Sequence, residues 1–255
     1  MAHWVRFTHG GQEAFGTLDG NVIAVHQGSM FDAPRATGVT LPLAQVSLLT
    51  PSQPSKMVAL WNNFHALAAK LGNPVPAEPL YFIKPRSSFL PHGGVIRHPA
   101  SYSGKVVYEG ELGIVISKTC RAVGEADAAQ FIFGYTCIND VTASELINRD
   151  ATFAQWTRAK SFDTFGVFGP AIATNIDPLQ SNVRLTLNGQ ERQNYPLADM
   201  IFPPHRLVSL ISQDLTLEPG DVIACGTSVG VGSMKPGNTV SVTIDGIGTL
   251  TNKFE

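Results

Sequence analysis

Two glutamates lie two residues apart in the segment Tyr108–Ile116, and this spacing could bind a metal ion. The segment is rich in β-branched residues and is predicted to be a strand, in which side chains alternate between faces. Glu109 and Glu111 would then share one face, about 7 Å apart, with Leu112 on the other. Such carboxylates repel each other unless a positive charge lies between them, and a divalent cation would supply it. A solvent-exposed strand face explains the same spacing, so both interpretations stay open.

Three other segments could contribute to such a site. Asp140 ends an apolar strand and could be a third ligand, although a carboxylate there is often only a cap. Lys160 lies among aromatic and charged residues and could cancel the single negative charge left by three carboxylates and a divalent cation. A salt-bridged surface loop is the alternative for that segment. His65 lies in a short predicted helix, where a lone histidine is more often structural than catalytic.

The segment Gly226–Gly230 matches the G-x-S-x-G pattern of serine hydrolases, but its context does not fit. That pattern requires a helix after the serine and a histidine later in the chain. A glycine- and proline-containing segment follows Ser228, and the last histidine, His205, precedes it. We therefore expect these glycines to bring backbone N–H groups close to an anionic ligand instead.

Taken in chain order, these segments resemble the fumarylacetoacetate hydrolase (FAH) family from about Ser55 to the C-terminus. The resemblance is to the bacterial group of 2-hydroxyhepta-2,4-diene-1,7-dioate isomerases, acylpyruvate hydrolases and oxaloacetate decarboxylases. The matching segments are Tyr108-Glu109-x-Glu111-Leu112, Gly134-Tyr135-Thr136 with Asn139-Asp140-Val141-Thr142-Ala143, Arg158-x-Lys160-Ser161-Phe162-Asp163-Thr164 with Gly169-Pro170, Asn188-Gly189, and Leu217-x-Pro219-Gly220-Asp221 with Gly226-Thr227. Several matches in one order are more specific than any single match, and they favour the metal interpretation.

The resemblance implies a function and a set of site residues. Glu109, Glu111 and Asp140 would hold Mg²⁺ or Mn²⁺, which acts as a Lewis acid on 2-oxo or β-dicarbonyl acids. The family hydrolyses, decarboxylates or isomerises such acids by way of an enolate. Lys160 would stabilise charge and bind substrate, with further substrate contacts from Thr227 and Gly226. The resemblance also implies a catalytic role for His65 and a homodimer.

Two positions depart from the family pattern. Hydrolytic members commonly carry a glutamate three residues after the histidine, which orients it to activate water. Ala68 stands at that position here, and Glu78 is a candidate replacement. The family also often has an arginine four residues after the third ligand; here Ser144 stands there and Arg149 is nearby. These departures favour decarboxylation or isomerisation over acylpyruvate-type hydrolysis, and a non-catalytic, metal-dependent oxo-acid-binding protein is the alternative.

Composition excludes several other function classes. The 255 residues include 18 Lys and Arg against 20 Asp and Glu, a net charge of −2. A basic footprint for nucleic acid is therefore absent. We expect no membrane span and no signal peptide, because no apolar stretch is long enough and the first residues lack a basic start followed by an apolar run. Its three cysteines lack metal-binding spacing, and we expect them to be reduced thiols of a cytoplasmic protein.

We predict a mainly β fold with few helices (α+β), which the resemblance specifies as the FAH-type mixed β-sandwich roll. Residues 1–50 are predicted to form a small N-terminal β unit, and residues 51–255 the catalytic domain. Hairpin turns are expected at Asp19-Gly20, Asn188-Gly189 and Asp245-Gly246, because type I′ turns need two residues that tolerate positive φ. The predicted helices span residues 62–70, 125–131, 143–149 and 204–213.

Overall fold

The computed structural model describes residues 1–255 and is built mainly from strands. Three α-helices are present: α1 (His65–Leu71), α2 (Trp156–Lys160) and α3 (Pro204–Asp214). The strands are β1 (Ala2–His9), β2 (Gln12–Asp19), β3 (Val22–Ser29), β4 (Asp32–Pro42), β5 (Ser47–Leu48), β6 (Met57–Trp61), β7 (Leu80–Lys84), β8 (Phe89–Leu90), β9 (Val95–Ile96), β10 (Val106–Tyr108), β11 (Gly110–Ile116), β12 (Ile132–Asp140), β13 (Thr142–Ala143), β14 (Gly166–Thr174), β15 (Asn182–Leu187), β16 (Gln190–Pro196), β17 (Val222–Ala224), β18 (Gly232–Ser233), β19 (Thr239–Ile244) and β20 (Gly248–Phe254). Short 3₁₀ helices lie at Leu43–Gln45, Arg86–Ser88, Glu125–Phe131, Ser144–Leu146, Pro178–Gln180 and Leu197–Asp199.

Two large sheets pack face to face. The main sheet has the order β4-β3-β2-β1-β14-β12-β11-β17-β6-β7. Outside this order, the short strand β5 pairs with β1 and the short strand β8 pairs with β14. A five-stranded sheet of order β16-β15-β19-β20-β9 lies against its central strands β11, β12 and β14. A three-stranded sheet, β13-β10-β18, completes the structure. The predicted FAH-type, mainly β architecture is confirmed.

The central strand β11 shows how the sheets are held together. Leu112, Ile114 and Ile116 point from one face into the large core shared with the five-stranded sheet. Val115 points to the other face, into a smaller apolar cluster that also contains Phe82. Burying each such side chain contributes about 1.5–3 kcal/mol. The strand is therefore fixed on both faces, and so are the acidic residues at its start.

The N-terminal residues extend the main sheet. Strands β1 to β4 form an antiparallel meander, and β1 pairs with β14 from Ala2–Thr174 to Trp4–Ile172. The first predicted hairpin is present, but its loop is Gly20-Asn21, one residue later than predicted, because Asp19 still pairs with Val22. The division into domains at residue 50 stays a prediction.

The other two hairpins differ in loop length. Asn188 and Gly189 both have positive φ, 52° and 76°, as a two-residue type I′ loop requires. The third loop has three residues, since Ile244 pairs with Gly248. Its extra residue, Ile247, is buried in the large core, which explains the longer loop.

The helices agree with the sequence in part. Helix α1 ends at Gly72, whose left-handed φ of 67° terminates it as predicted, and α3 matches its predicted span. Residues 125–131 form a 3₁₀ helix. The predicted helix over 143–149 is wrong: Ala143 pairs with Val106 in β13, and only a short 3₁₀ turn follows. No helix combines the length and apolar character that a membrane crossing requires.

Candidate metal centre and active site

The two glutamates lie at a junction between sheets. The prediction of one strand over residues 108–116 is wrong, because β10 belongs to the three-stranded sheet and β11 to the main sheet. Glu109 is the residue between them, and its N–H donates to Oδ1 of Asn139 at 3.0 Å. The chain leaves one sheet and enters the other at this point, which places Glu109 where the two sheets meet.

The three predicted ligands do come together. Carboxylate oxygens of Glu109, Glu111 and Asp140 all lie within 4.8 Å of one another, and all three residues are buried. Asp140 is the last residue of β12, and its N–H donates to the main-chain oxygen of Glu109 at 2.8 Å. Strand pairing between β11 and β12 therefore assembles the cluster, with Gly110 opposite Asn139.

One oxygen of the cluster has no hydrogen-bond partner. Glu109 accepts from Thr142 Oγ1 at 2.9 Å and from Lys160 Nζ at 2.7 Å. Glu111 Oε2 accepts from the N–H of Gly226 at 2.9 Å, but Oε1 is buried and unpaired. An unsatisfied buried acceptor costs about 1–3 kcal/mol, and more when it is charged. A divalent cation among three oxygen donors would satisfy it, so these residues fit a hard metal ion.

Two lysines hold Asp140 from opposite sides. Lys160 Nζ, at the end of α2, lies 2.6 Å from Oδ2, and Lys84 Nζ lies 2.5 Å from Oδ1. Lys84 also donates to the main-chain oxygen of Lys160. It is the last residue of β7 and is fully buried. Lys84 was not predicted from the sequence, because a lysine at the end of an apolar strand usually extends into solvent.

Lys84 changes the charge of the site. Three carboxylates and two ammonium groups leave one net negative charge, which a divalent cation converts to one net positive charge. With Lys160 as the only cationic side chain, the net charge predicted from the sequence for the metal-loaded site was zero. A buried site with net positive charge attracts an anion, because electrostatic interactions are strong away from water.

Burial raises the pKa of each of the three carboxyl groups, and the neighbouring lysines lower it. Burial, reinforced by Asp140, raises the pKa of Glu111 well above its usual value. Burial also raises the pKa of Glu109, and the nearby Lys160 only partly opposes this. For Asp140 burial acts the same way, but Lys160 and Lys84 outweigh it and the pKa falls. Burial lowers the pKa of Lys84, whereas for Lys160 the carboxylates outweigh burial and its pKa rises.

The predicted substrate-binding residues lie beside the cluster. Gly226 follows β17 with φ of +88°, and a Cβ there would lie 3.3 Å from the main-chain oxygen of Leu60. Thr227 Oγ1 donates to the main-chain oxygen of Gly110 at 3.0 Å. The glycine therefore lets the backbone come close to Glu111, and Thr227 is fixed against the acidic strand.

Two residues of β16 that the sequence analysis missed hold the peptide between the glutamates. The N–H of Gly110 donates to Gln193 Oε1 at 2.9 Å, and its carbonyl accepts from the hydroxyl of Tyr195. Gln193 also donates to Thr227 Oγ1 at 2.9 Å. No local pattern marks these residues, because their partners lie far away in the chain.

A cavity of about 260 Å³ opens beside the acidic cluster. Its lining residues are Trp61, Leu67, Lys70, Leu71, Glu109, Thr227, Ser228, Gly230 and Val231. Helix α1 thus faces the cavity with Leu67, Lys70 and Leu71. His65, its first residue, is exposed and does not line the cavity.

The candidate replacements for the missing family residues are not brought to the cluster. Ala68 is buried in the core, and Glu78 lines a neighbouring cavity beyond Trp61. Ser144 Oγ donates to the main-chain oxygen of Lys105, and Arg149 is exposed. Neither a carboxylate for His65 nor an arginine for a second substrate carboxylate is therefore present in the cavity lining.

The sequence and the fold both have relatives. Residues 56–255 match the family described as fumarylacetoacetate (FAA) hydrolase C-terminal, and residues 2–51 match Rv2993c-like, N-terminal. Protein Rv2993c of Mycobacterium tuberculosis is 41% identical over 252 residues, covering 94% of this chain and 92% of that protein. Oxaloacetate tautomerase YisK of Bacillus subtilis is 34% identical over 226 residues, covering 83% of this chain and 74% of that protein.

Solved structures agree with this relationship. A 2-hydroxyhepta-2,4-diene-1,7-dioate isomerase from Mycobacterium marinum has a TM-score of 0.91 at 38% identity, covering 100% of this chain and 98% of its own. A 5-carboxymethyl-2-hydroxymuconate delta-isomerase from Mycobacterium smegmatis has a TM-score of 0.91 at 40% identity, covering 99% and 98%. Maleylpyruvate hydrolase from Sphingobium, in complex with manganese(II) and pyruvate, has a TM-score of 0.79 at 28% identity, covering 99% and 98%. The chain therefore belongs to the fumarylacetoacetate hydrolase family of enzymes.

Proposed function

We propose that this protein is a divalent-metal-dependent enzyme that acts on 2-oxo or β-dicarbonyl acids by way of an enolate. We further propose that it decarboxylates or isomerises its substrate and does not hydrolyse it. The observation that carries the proposal is the unpaired, buried Oε1 of Glu111 among three converging carboxylates. The relatives named as isomerases and a tautomerase support the choice of reaction.

Mg²⁺ and Mn²⁺ both suit this set of oxygen ligands, which would be Glu109, Glu111 and Asp140. When bound, the cation would supply Lewis-acid stabilisation of negative charge on the substrate oxygens. The manganese(II) in the Sphingobium structure supports Mn²⁺ as the first metal to test.

The chain's own residues would position the substrate and balance its charge. Lys160 Nζ contacts both Glu109 and Asp140, so its positive charge lies beside the site where an enolate would form. Thr227 lines the cavity, and by the family resemblance Thr227 and the backbone at Gly226 would hold the carboxylate or carbonyl of the acid. Lys84 holds Asp140 and the Lys160 backbone in place.

The position of His65 favours reactions that need no attacking water. A general base must lie within hydrogen-bonding reach of the water that it activates. His65 lies outside the cavity lining, and Ala68 cannot orient it. Neither decarboxylation nor isomerisation needs an attacking water. Both require charge stabilisation at the carbonyl, which the buried cluster offers without His65, and isomerisation also requires transfer of a proton.

Two further properties are part of the proposal. We propose a homodimer, as the family resemblance implies. We also propose a cytoplasmic location, because all three cysteines are free and buried, as expected in a reducing compartment.

The experiment is proton NMR of oxaloacetate and acetylpyruvate with the purified protein, with Mg²⁺ or Mn²⁺ and then with EDTA. Controls contain metal without protein. Metal-dependent pyruvate formation from oxaloacetate, or accelerated enol-to-keto conversion, is the expected result. Release of acetate and pyruvate from acetylpyruvate would instead establish hydrolysis. No metal-dependent change in either acid, together with no effect of metal on thermal stability, would overturn the proposal.

A further inference from the structure

The outer part of the cavity is apolar, whereas its inner part is polar. Glu109 and Thr227 form the buried inner end, next to the acidic cluster. Leu71 and Val231 line the same cavity and are 50% and 40% exposed. A cavity lined by apolar side chains around a few polar groups is typical of a small-molecule site.

The apolar wall is also rigid. The rings of Trp61 and Trp156 lie 4.8 Å apart, and Trp156 stacks on Phe82 at 5.8 Å. Lys160 Nζ lies 5.3 Å from the centre of the Phe82 ring. A chain of aromatic contacts therefore connects the lysine of the metal centre to Trp61 in the cavity wall. A wall fixed in this way can bind an apolar group at little entropic cost.

The charged residues around the cavity do not form a binding site for a second carboxylate of the substrate. Its lining contains no arginine, and its single cation is Lys70. Lys70 is an exposed residue of α1 on the same side as Leu67 and Leu71. A lone lysine in water binds a carboxylate weakly, because solvent screens the pair.

We propose that Trp61, Leu71 and Val231 bind the distal end of the substrate, and that this end is an alkyl or aryl group. The inference rests on the proposed function and makes it narrower: the preferred substrate is a 2-oxo acid with an apolar tail in place of a distal carboxylate. Such an acid can undergo keto–enol isomerisation, whereas enolate decarboxylation requires a carboxylate β to the carbonyl, as in the smaller test acid oxaloacetate. The 2-oxo acid end lies at the metal centre and the tail extends along Trp61 toward the mouth. The cavity of about 260 Å³ is slightly smaller than the range of about 300–1,000 Å³ found for drug-sized ligands.

The test is binding of a graded series of 2-oxo acids to the Mn²⁺-loaded protein by isothermal titration calorimetry. The probes are pyruvate, 2-oxobutanoate, 2-oxopentanoate and 2-oxohexanoate. The diacid 2-oxoadipate is included because it has the same chain length as 2-oxohexanoate. Each buried methylene should strengthen binding about fourfold, or about 60-fold from pyruvate to 2-oxohexanoate. The diacid should bind more weakly than 2-oxohexanoate.

Substitutions in the apolar wall test whether the preference for longer tails comes from contacts with that wall. Val231→Ser and Leu71→Ser should reduce the ratio of 2-oxohexanoate to pyruvate affinity. Val39→Ser, at an exposed valine of β4 far from the cavity in the sheet order, is the matched control and should leave that ratio unchanged. Lys70→Met should leave the preference for the apolar tail in place.

The outcomes separate this inference from the proposed function. If no acid in the series binds in the presence of Mn²⁺, the proposed function itself fails. If pyruvate binds but affinity does not rise along the series, the apolar tail site is overturned. If 2-oxoadipate binds more tightly than 2-oxohexanoate, the inference is wrong, and loss of that advantage in Lys70→Met would identify Lys70 as the carboxylate site.

Discussion

The metal centre and the mouth of the cavity lie side by side, yet their side chains are held very differently. At the centre, Glu109, Asp140, Lys84 and Lys160 are buried and form a continuous hydrogen-bonded network. At the mouth, α1 and the residues after Gly230 present exposed side chains such as Lys70, Leu71 and Val231. A buried network whose hydrogen bonds are satisfied fixes one geometry, whereas exposed residues can be substituted at little cost in stability.

This difference separates chemistry from specificity. Residues that match the family pattern, including Glu111 and Lys160, are buried. The positions that depart from it, Ala68 and Ser144, concern the histidine base and the recognition of a second carboxylate. On the proposed function, enolate chemistry would use the buried charges, and the choice of substrate would depend on the residues at the mouth of the cavity. The following changes test this separation, from the largest expected effect to the smallest.

Glu111→Gln removes one ligand and should abolish turnover and weaken Mn²⁺ binding by more than about 100-fold. The metal-free variant should be at least as stable as the metal-free wild type, since the substitution removes a buried charge with an unpaired oxygen. Thermal denaturation with and without Mn²⁺ checks this: saturation at 100 times Kd adds about 2.7 kcal/mol only if metal binds. A variant that binds Mn²⁺ with wild-type affinity would remove Glu111 from the ligand set.

Lys84→Met should destabilise the metal-free protein by about 3–5 kcal/mol, because Asp140 is left buried without one of its two counterions. Urea denaturation of the metal-free protein measures this. Lys253→Met, at an exposed lysine of β20, is the control and should change stability by less than about 0.5 kcal/mol. Equal effects of the two substitutions would show that the Lys84 contact adds nothing to the network.

Gln193→Leu should cost about 1–3 kcal/mol, because the N–H of Gly110 loses its acceptor inside the protein. Thr227 loses its contact to Gln193 as well, so KM should rise together with the loss of stability. Gln190→Leu, at an exposed position of the same strand, is the matched control. Urea denaturation and steady-state kinetics of both variants are the measurements, and an unchanged KM in Gln193→Leu would disconnect β16 from substrate binding.

His65→Ala should have the smallest effect on decarboxylation or tautomerisation. A general base contributes at least about 100-fold to the rate, and its removal would be obvious in kcat. Because His65 is exposed and outside the cavity lining, we expect a change far below that level. A loss of about 100-fold would instead show that α1 moves to bring His65 to the centre, which would favour hydrolysis.

The sequence predicted the part of the site that local spacing encodes. The spacing of Glu109 and Glu111 left a metal site open as one of two interpretations, and the resemblance of the ordered motifs to the family favoured it. The hairpin at Asn188-Gly189 and the end of α1 at Gly72 follow from the same kind of local rule. The break between β10 and β11 was missed because β-propensity does not show which sheet a strand joins.

The sequence by itself therefore indicated the mainly β fold, the three acidic residues that converge, Lys160, and the absence of a glutamate three residues after His65. Only the tertiary structure placed Lys84 on Asp140, 56 residues away, and Gln193 on Gly110, 83 residues away. The physical reason is that these contacts depend on which strands pair across the sheets, and not on the neighbours of each residue in the chain. The charge of the site follows from that pairing, whereas the apolar mouth follows from the way α1 and the segment after Gly230 line the cavity.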